Sequence, residues 1–416
     1  MMEGQFSQRD LGIVLFVGIG TAGILLVRSQ LKKDEHPVAD KESSNGGAPR
    51  DDGAKTTPAG GIVAIPSLTP TVTQVVFAGG GDGFAAIVSH KMDGVGSVMD
   101  VVKTATGKPV GRVRTDTVSD TGYALSPKGN VFAVLGLKPF EGAPVSLFNV
   151  ENGQLLKQFT PYPKAPGTVL GPDAVWIAIT STDQLLTINS EGGFDLWTLP
   201  EMKRTTGVAG RLKGGHRTDV NGFTHCPKNF SLSVDGKSLA IFNGSGFSFY
   251  NMETTTEICR TKDLMRPGNQ ILFSAAALSP DGSRFACYYQ TFGAGAATTL
   301  SVWDPKTGTP LSSPLVSGNA PAGFAWWGSS HLLYWEGGIS SASLFGAETG
   351  QSVGSVRTSI PGKFGTVPPN GQLWGVVGPH NYDPAKGTAF LVRADVPSAI
   401  RPGTSFELTQ DGLKTK

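Results

Sequence analysis

Acid–base, metal or thiol chemistry in this chain would have to rest on six histidines and three cysteines. His36, His90, His216, His225, His331 and His380 are scattered along its length, and none sits in H-E-x-x-H or another metal-binding spacing. Cys226, Cys259 and Cys287 are as widely separated, with no C-x-x-C pair to grip zinc or cycle as a disulfide. They read as small buried apolar side chains. The G-x-S-x-G match Gly350-Gln351-Ser352-Val353-Gly354 starts at a tight turn between strands and not ahead of a helix, so no nucleophile elbow is expected, and no Walker-type loop cradles phosphate. The glycine-rich stretch Gly79-Gly80-Gly81-Asp82-Gly83 falls between two strands, without the helix N-terminus that would hold an anion. The expectation from these residues is no catalytic residue, no metal, no cofactor and no enzymatic activity.

The elements around these residues are set by a recurring four-residue turn ending in Gly. It reads Gly80 to Gly83, Ser126-Pro127-Lys128-Gly129, Ser233-Val234-Asp235-Gly236, Ser279-Pro280-Asp281-Gly282 and Pro368-Pro369-Asn370-Gly371. Weaker copies stand at Ser181-Thr182-Asp183 and Gly328-Ser329-Ser330-His331. The markers Gly83, Gly129, Asp183, Gly236, Gly282, Ser330 and Gly371 step by roughly 46, 54, 53, 46, 48 and 41 residues, a propeller-type period. Asp82, Asp235 and Asp281 recur with the turn and are expected to hydrogen-bond their own backbone. A short strand follows each marker, as at Val131–Val134 and Leu239–Phe242, and a second follows about ten residues on, as at Val145–Phe148 and Leu300–Trp303. That second strand ends in another tight turn, at Thr106-Gly107, Asn152-Gly153, Thr307-Gly308 and Thr349-Gly350, where Gly supplies the positive φ of a sharp reversal. Each unit is thus a four-stranded sheet that cannot bury both faces alone, and seven markers predict an all-β, seven-bladed β-propeller. Of the adjacent Trp326 and Trp327, pointing to opposite faces of one strand, one is expected in the core.

The run Ala277-Leu278-Ser279-Pro280-Asp281-Gly282-Ser283-Arg284-Phe285-Ala286, closing with Val302-Trp303-Asp304-Pro305-Lys306-Thr307-Gly308, resembles a WD40 repeat. Gly215-His216, upstream of Phe249-Tyr250-Asn251, is similar to the Gly-His opening of such repeats. The resemblance covers roughly residues 70 to 400. It departs from the family in having one Trp-Asp and one Gly-His, and no blade assembles the internal Asp-His-Ser-Trp hydrogen-bond set. The resemblance implies an interaction platform.

Outside the repeats, Leu11 to Val27 is uncharged and followed by Arg28, Lys32 and Lys33, which predicts an uncleaved membrane anchor at the short limit for one span. The expected organisation is a tail at 1–10, a transmembrane helix at 11–28, a polar flexible linker at 29–65, the propeller at 66–408 and a tail at 409–416. The basic residues after the span lean weakly towards a cytoplasmic propeller. Charged residues are 16% of the chain with a formal net charge of +2, so nucleic acid is not an expected partner. Ring closure should use Gly61–Ile65 or Thr404–Leu408, at least one pairing beside Ala389–Val392.

Both kinds of tight turn open onto one end of the sheets, so the longer connections share the other. Those around Ser89–Ser97, Gly136–Pro144, Lys203–Gly222, Gln290–Ala297 and Gly378–Gly387 are the expected working surface. Candidate partner-binding residues there are His90, Lys91, Lys138, Phe140, Arg211, Lys213, His216, Arg217, Phe292, His380 and Tyr382. Phe140, Phe292 and Tyr382 would serve as aromatic anchors, and the basic run would face an acidic patch. The function expected is a membrane-tethered platform for a protein partner. The alternative is a propeller enzyme or small-molecule binder with a site at the central channel mouth.

Overall fold

Short apolar runs between Gly-terminated turns favour antiparallel strands, and the computed structural model has thirty strands and no helix among the residues it describes. These are residues 62–66, 71–80, 83–90, 96–116, 122–136, 143–164, 173–210, 230–242, 246–261, 264, 270–292, 298–313, 322–336, 341–358, 363–366, 373–377, 388–393, 400–409 and 412–416.

After β1 (Ile62–Pro66), four strands pair in chain order: β2 (Thr71–Phe77), β3 (Phe84–His90), β4 (Ser97–Lys103) and β5 (Pro109–Thr115). The pattern repeats in β6 (Tyr123–Leu125), β7 (Val131–Leu135), β8 (Val145–Asn149) and β9 (Leu155–Phe159). It repeats again in β10 (Ala174–Ile179), β11 (Gln184–Asn189), β12 (Phe194–Thr198) and β13 (Arg204–Val208). Then follow β14 (Phe230–Leu232), β15 (Ser238–Phe242), β16 (Phe247–Asn251) and β17 (Thr256–Arg260). The next sheet is β18 (Gln270–Leu278), β19 (Phe285–Phe292), β20 (Thr298–Trp303) and β21 (Pro310–Ser312). Beyond it lie β22 (Ala322–Trp327), β23 (His331–Glu336), β24 (Ser341–Gly346) and β25 (Ser352–Thr358). The chain then lays down β26 (Lys363–Thr366), β27 (Leu373–Val377) and β28 (Thr388–Arg393), and ends with β29 (Thr404–Thr409) and β30 (Gly412–Thr415). Strand β1 completes the sheet of β26–β28, while β29 and β30 extend that of β22–β25. The result is an all-β propeller in which six blades are four-stranded sheets and a further sheet has six strands.

First strands approach one another between sheets, β2 with β6 and β26, β6 with β10, β14 with β18 and β18 with β22, placing them innermost. Apolar side chains then meet between sheets. Met99 and Val101 pack with Phe132 and Val134, Ile188 and Phe194 with Leu239 and Tyr250, and Phe249 with Phe285. This explains why β7 is buried at all five positions: its sheet is covered on both faces. Both tryptophans of β22 are core for the same reason, which corrects the expectation of one. Trp326 packs between its sheet and that of β18–β21, and Trp327 lies on the opposite face against Phe406 of β29.

Closure uses β1, which pairs antiparallel with β28 from Ile62↔Val392 to Pro66↔Thr388. The second candidate, Thr404–Leu408, takes another edge and pairs in parallel with β25. Since β1 already occupies the edge of β28, the last strands find their hydrogen bonds on β25 instead. Thus β1 begins inside the stretch expected to be linker, and β30 runs beyond residue 408. No helix among the described residues is long and apolar enough to cross a membrane, and the expected anchor at 11–28 lies outside them.

Candidate functional site

One end of the propeller is made of turns that satisfy themselves. In two of them Ser233 Oγ and Ser279 Oγ donate to Asp235 Oδ1 and Asp281 Oδ1 at 2.6 and 2.7 Å. The same carboxylates accept the backbone N–H of Lys237 and Ser283, each at 3.0 Å, as the sequence anticipates for these two aspartates. Asp82 lies outside the described residues. Burial by itself raises the Asp281 pKa, but the hydrogen bonds from Ser279, Ser283 and Ser329 outweigh it and hold the carboxyl below its ordinary value. Gly129, Gly236 and Gly282 close their turns at φ of 68°, 72° and 66°. The second kind of turn docks on the first: the N–H groups of Thr104, Val150, Met252 and Ala347 donate to the carbonyls of Gly83, Asn130, Lys237 and Ser330 at 2.8–3.1 Å.

The glycine-rich connection after β2 reaches further than its own sheet. The Gly79 N–H donates to the Leu125 carbonyl at 3.0 Å. A Cβ on Gly79 would stand 1.8 Å from the Ile179 carbonyl oxygen, and one on Gly80 would stand 2.2 Å from Ser181 Cβ and 3.2 Å from the Val234 oxygen. Leu125, Ile179, Ser181 and Val234 belong to three successive sheets, so this turn lies across their inner ends at the turn face. Read from sequence as an ordinary β–β turn, it is a backbone-only crossing of the kind that glycine permits.

Two of the predicted residues, His90 and Phe292, are on strands that reach the opposite end. Strand β3 runs from its turn to His90, and β19 runs to Phe292, so both strands finish at the loop end. Lys91, Lys138, Phe140, Arg211, Lys213, His216, Arg217, His380 and Tyr382 lie outside the described residues. The connections that contain them start and finish at this same end, between β3 and β4, β7 and β8, β13 and β14, and β27 and β28.

Sequence reasoning missed the polar groups that tie this end to the blades. Tyr162, in the connection between β9 and β10, donates its hydroxyl to the Thr187 carbonyl at 3.0 Å, with Thr187 Oγ1 also at 3.0 Å. Trp197 Nε1 donates to the same Oγ1 at 3.0 Å, and Arg204 Nε donates to Asp195 Oδ1 at 2.6 Å on the adjoining strands. Burial pushes the Tyr162 pKa far above that of a free phenol. The chain from loop Tyr to strand Thr to strand Trp links a connection to two strands of one blade, although no Asp-His-Ser-Trp set is spelled out in the sequence. Nearby, Lys164 Nζ pairs with Asp173 Oδ2 at 2.8 Å, and the Ser190 N–H donates to the Asp173 carbonyl at 2.8 Å. A repeated polar pair on outer strands gives a signal that the sequence could have offered: Asp100 opposite Arg112, Ser146 opposite Gln158 and Ser248 opposite Arg260.

For chemistry, the innermost strands are informative. The segments TVTQVVF, YAL, AVWIAI, FSL, QILFSAAAL, AGFAWW and KFGT hold no Asp, Glu, His, Cys or Arg, and Lys363 is their one formal charge. Tyr123 and Lys363 apart, acid–base groups at the channel would therefore have to come from the connections. Among the described residues no group of His, Cys, Asp or Glu is placed to hold a metal ion. Cys287 is fully buried, which pushes its thiol up to about 12, and Cys259 is half-buried with its thiol raised mainly by burial. Half-burial lowers the His331 pKa, and its Nδ1 lies 2.9 Å from Ser330 Oγ at the turn end.

No protein-family profile and no curated protein sequence matches the chain. By shape it resembles 1408 solved chains, so the architecture is widespread and its function is not fixed by form. One is Kuenenia stuttgartiensis hydrazine synthase, at a TM-score of 0.51 and 14% identity, over 80% of this chain and 98% of that one. At that identity the likeness shows the fold alone. It corrects one expectation nonetheless: a protein named for an enzyme has this architecture, so the prediction of no enzymatic activity does not stand.

Proposed function

We propose that this protein is a seven-bladed, WD40-like propeller, counting the six-stranded sheet as a blade, that captures a protein partner on its loop end. It is held at a membrane through residues 11–27, with the propeller on the cytoplasmic side. The observation that carries this reading is the asymmetry of the two ends. One end consists of tight turns whose polar groups bond each other, with the Gly79-Gly80 turn lying across it. The other is where β3 and β19 end, at His90 and Phe292, and where the strands flanking the connections of the other nine candidates start and finish. Loops of unequal length on a rigid scaffold are where binding surfaces are built. Uncharged length at 11–27 followed by Arg28, Lys32 and Lys33 supports the tether and its orientation. The test is affinity capture from extract with alanine clusters on each end. Loss of a bound protein on changing the loop end, and not the turn end, supports the assignment; the reverse pattern sinks it.

A second reading, a small-molecule or catalytic site at the channel mouth, is favoured by the solved enzyme of like fold. Because the inner strands hold no Asp, Glu, His, Cys or Arg, its carboxylates or imidazoles would have to come from the same connections.

A further inference from the structure

Among the described residues, the outer strands β5, β9, β13, β17 and β21 each end their sheet. Strand β25 does not, because β29 lies beside it in parallel from Gly354↔Thr404 to Thr358↔Leu408. Parallel neighbours need a long connection, and here that connection is the β26–β28 excursion into the adjoining sheet. The strand leading into the excursion and the strand leading out of it are therefore hydrogen-bonded at its base.

The seat is shaped for this. A Cβ at Gly354 would stand 2.1 Å from the Thr404 carbonyl oxygen, so close approach of the two backbones needs glycine there. Phe406 and Leu408 are 2% and 0% exposed and pack with Trp327, Leu344 and Val356. The Phe406 and Trp327 rings are 5.5 Å apart. The Gly403 N–H donates to the Val353 carbonyl at 2.9 Å, and Lys416 pairs with Glu407 at 2.8 Å to close the β29–β30 hairpin.

We infer that the β29–β30 hairpin is a releasable clasp. Docked, it holds the base of the β26–β28 excursion, whose edge strand β28 pairs with β1; undocked, it lets β1 and the excursion loosen as one unit while β3–β24 stay folded. The hairpin's buried side chains all contact the sheet of β22–β25, so its seating is a local equilibrium of the sub-global kind.

Hydrogen exchange on the full chain tests this. Gly354→Val drives a side chain into the Thr404 carbonyl, and Phe406→Ala removes the main anchor without touching the backbone. Both should speed exchange by about tenfold or more in peptides covering 404–415 and 363–393, with rates in β7, β11 and β15 unchanged. If 404–415 loosens while 363–393 keeps its original rate, the hairpin is only an edge cover and the clasp is refuted. A uniform rise across all peptides refutes it too, since the excursion would then not be a separate unit. Should Gly354→Val fail to fold, Phe406→Ala decides on the same criteria.

Discussion

The two ends of the propeller solve the same problem, reversing the chain between strands, in opposite ways. At the turn end backbone groups bond each other, within each turn and from one turn to the next, and glycine sits where φ is positive: 69° at Gly107, 70° at Gly153, 68° at Gly308 and 67° at Gly350. Such turns admit few side chains and little variation. At the loop end one described turn, Asn189 to Phe194, is closed in the same local way, but side chains add further ties, as with Tyr162 to Thr187 and Lys164 to Asp173. Backbone economy at one end leaves sequence freedom at the other. A change should therefore cost stability at the turn end and alter recognition at the loop end.

The largest effect belongs to the turn end. Gly308 stands at φ 68°, and a Cβ there would lie 2.0 Å from the Arg260 carbonyl oxygen. Gly308→Ala meets both left-handed strain and a backbone that cannot easily move, so a loss of about 3 kcal/mol is expected in urea unfolding. Gly403→Ala is the control. Its φ is 85°, but nothing lies within 4 Å of the added carbon, so strain alone remains and the loss should be near 1 kcal/mol. Equal midpoints for the two variants would show that crowding at the turn end carries no weight.

Next comes the described tie at the loop end. Tyr162→Phe keeps the ring and removes the hydroxyl that joins Thr187, leaving Trp197 Nε1 its partner. About 1 kcal/mol is the usual net worth of such a hydrogen bond. Thermal melting with a shift of that size, and with partner capture intact, is the expected outcome. Loss of capture without a stability change would move Tyr162 into the binding surface.

How far the fold could be read from sequence follows the same division. The Ser279-Pro280-Asp281-Gly282 turn announces itself because its geometry is local: Gly for φ, Asp for the backbone N–H two residues on, Ser for the strand that follows. From such turns the strands and the repeat followed, and Gly61–Ile65 stood as one of two candidates for closure. The parallel seat of Thr404–Thr409 did not, because it depends on β25 having a free edge and on Gly354, fifty residues away. The Tyr162–Thr187–Trp197 chain was missed for a related reason. A search for His and Ser in fixed spacing does not find a Tyr that reaches into a blade from the connection before it. Of the candidate site, the sequence offered the end of the molecule through loop lengths; which side chains converge there depends on contacts that no local pattern encodes.

A smaller effect tests the turn end by pH. The Asp281 carboxyl titrates below its ordinary value because serine donors outweigh burial. Its stabilisation is therefore fully present above the unfolded value of about 4 and is lost as pH falls through the lowered folded value. Asp281→Asn should show a shallower loss of stability between neutral and acid pH than the parent chain. The difference should be modest, since the side chain is exposed and screened. His331 acts in the same direction at higher pH: its lowered pKa means that protonation opposes folding as pH falls below about 6.5. Parallel acid profiles for Asp281→Asn and the parent would remove the turn aspartates from the account of stability.

The smallest stability change, and the sharpest test of the comparison, lies with the candidate residues. His90 and Phe292 end their strands at the loop end, and Lys91, Lys138, Phe140, Arg211 and Lys213 occupy connections that leave it. Alanine at Lys138 with Phe140, and at Arg211 with Lys213, should alter the free energy of urea unfolding by no more than about 0.5 kcal/mol, the usual size for changes away from special geometry. If this end is the binding surface, the same substitutions should weaken partner capture strongly. The aromatic cluster should act mainly by speeding dissociation, and the basic cluster by slowing association in a salt-dependent way. A loss of stability comparable to that of Gly308→Ala would show that the loop end is structural. Unchanged capture with unchanged stability would move the working surface elsewhere, and the exposed Leu155 and Leu156 on the outer strand β9 would be the next residues to change.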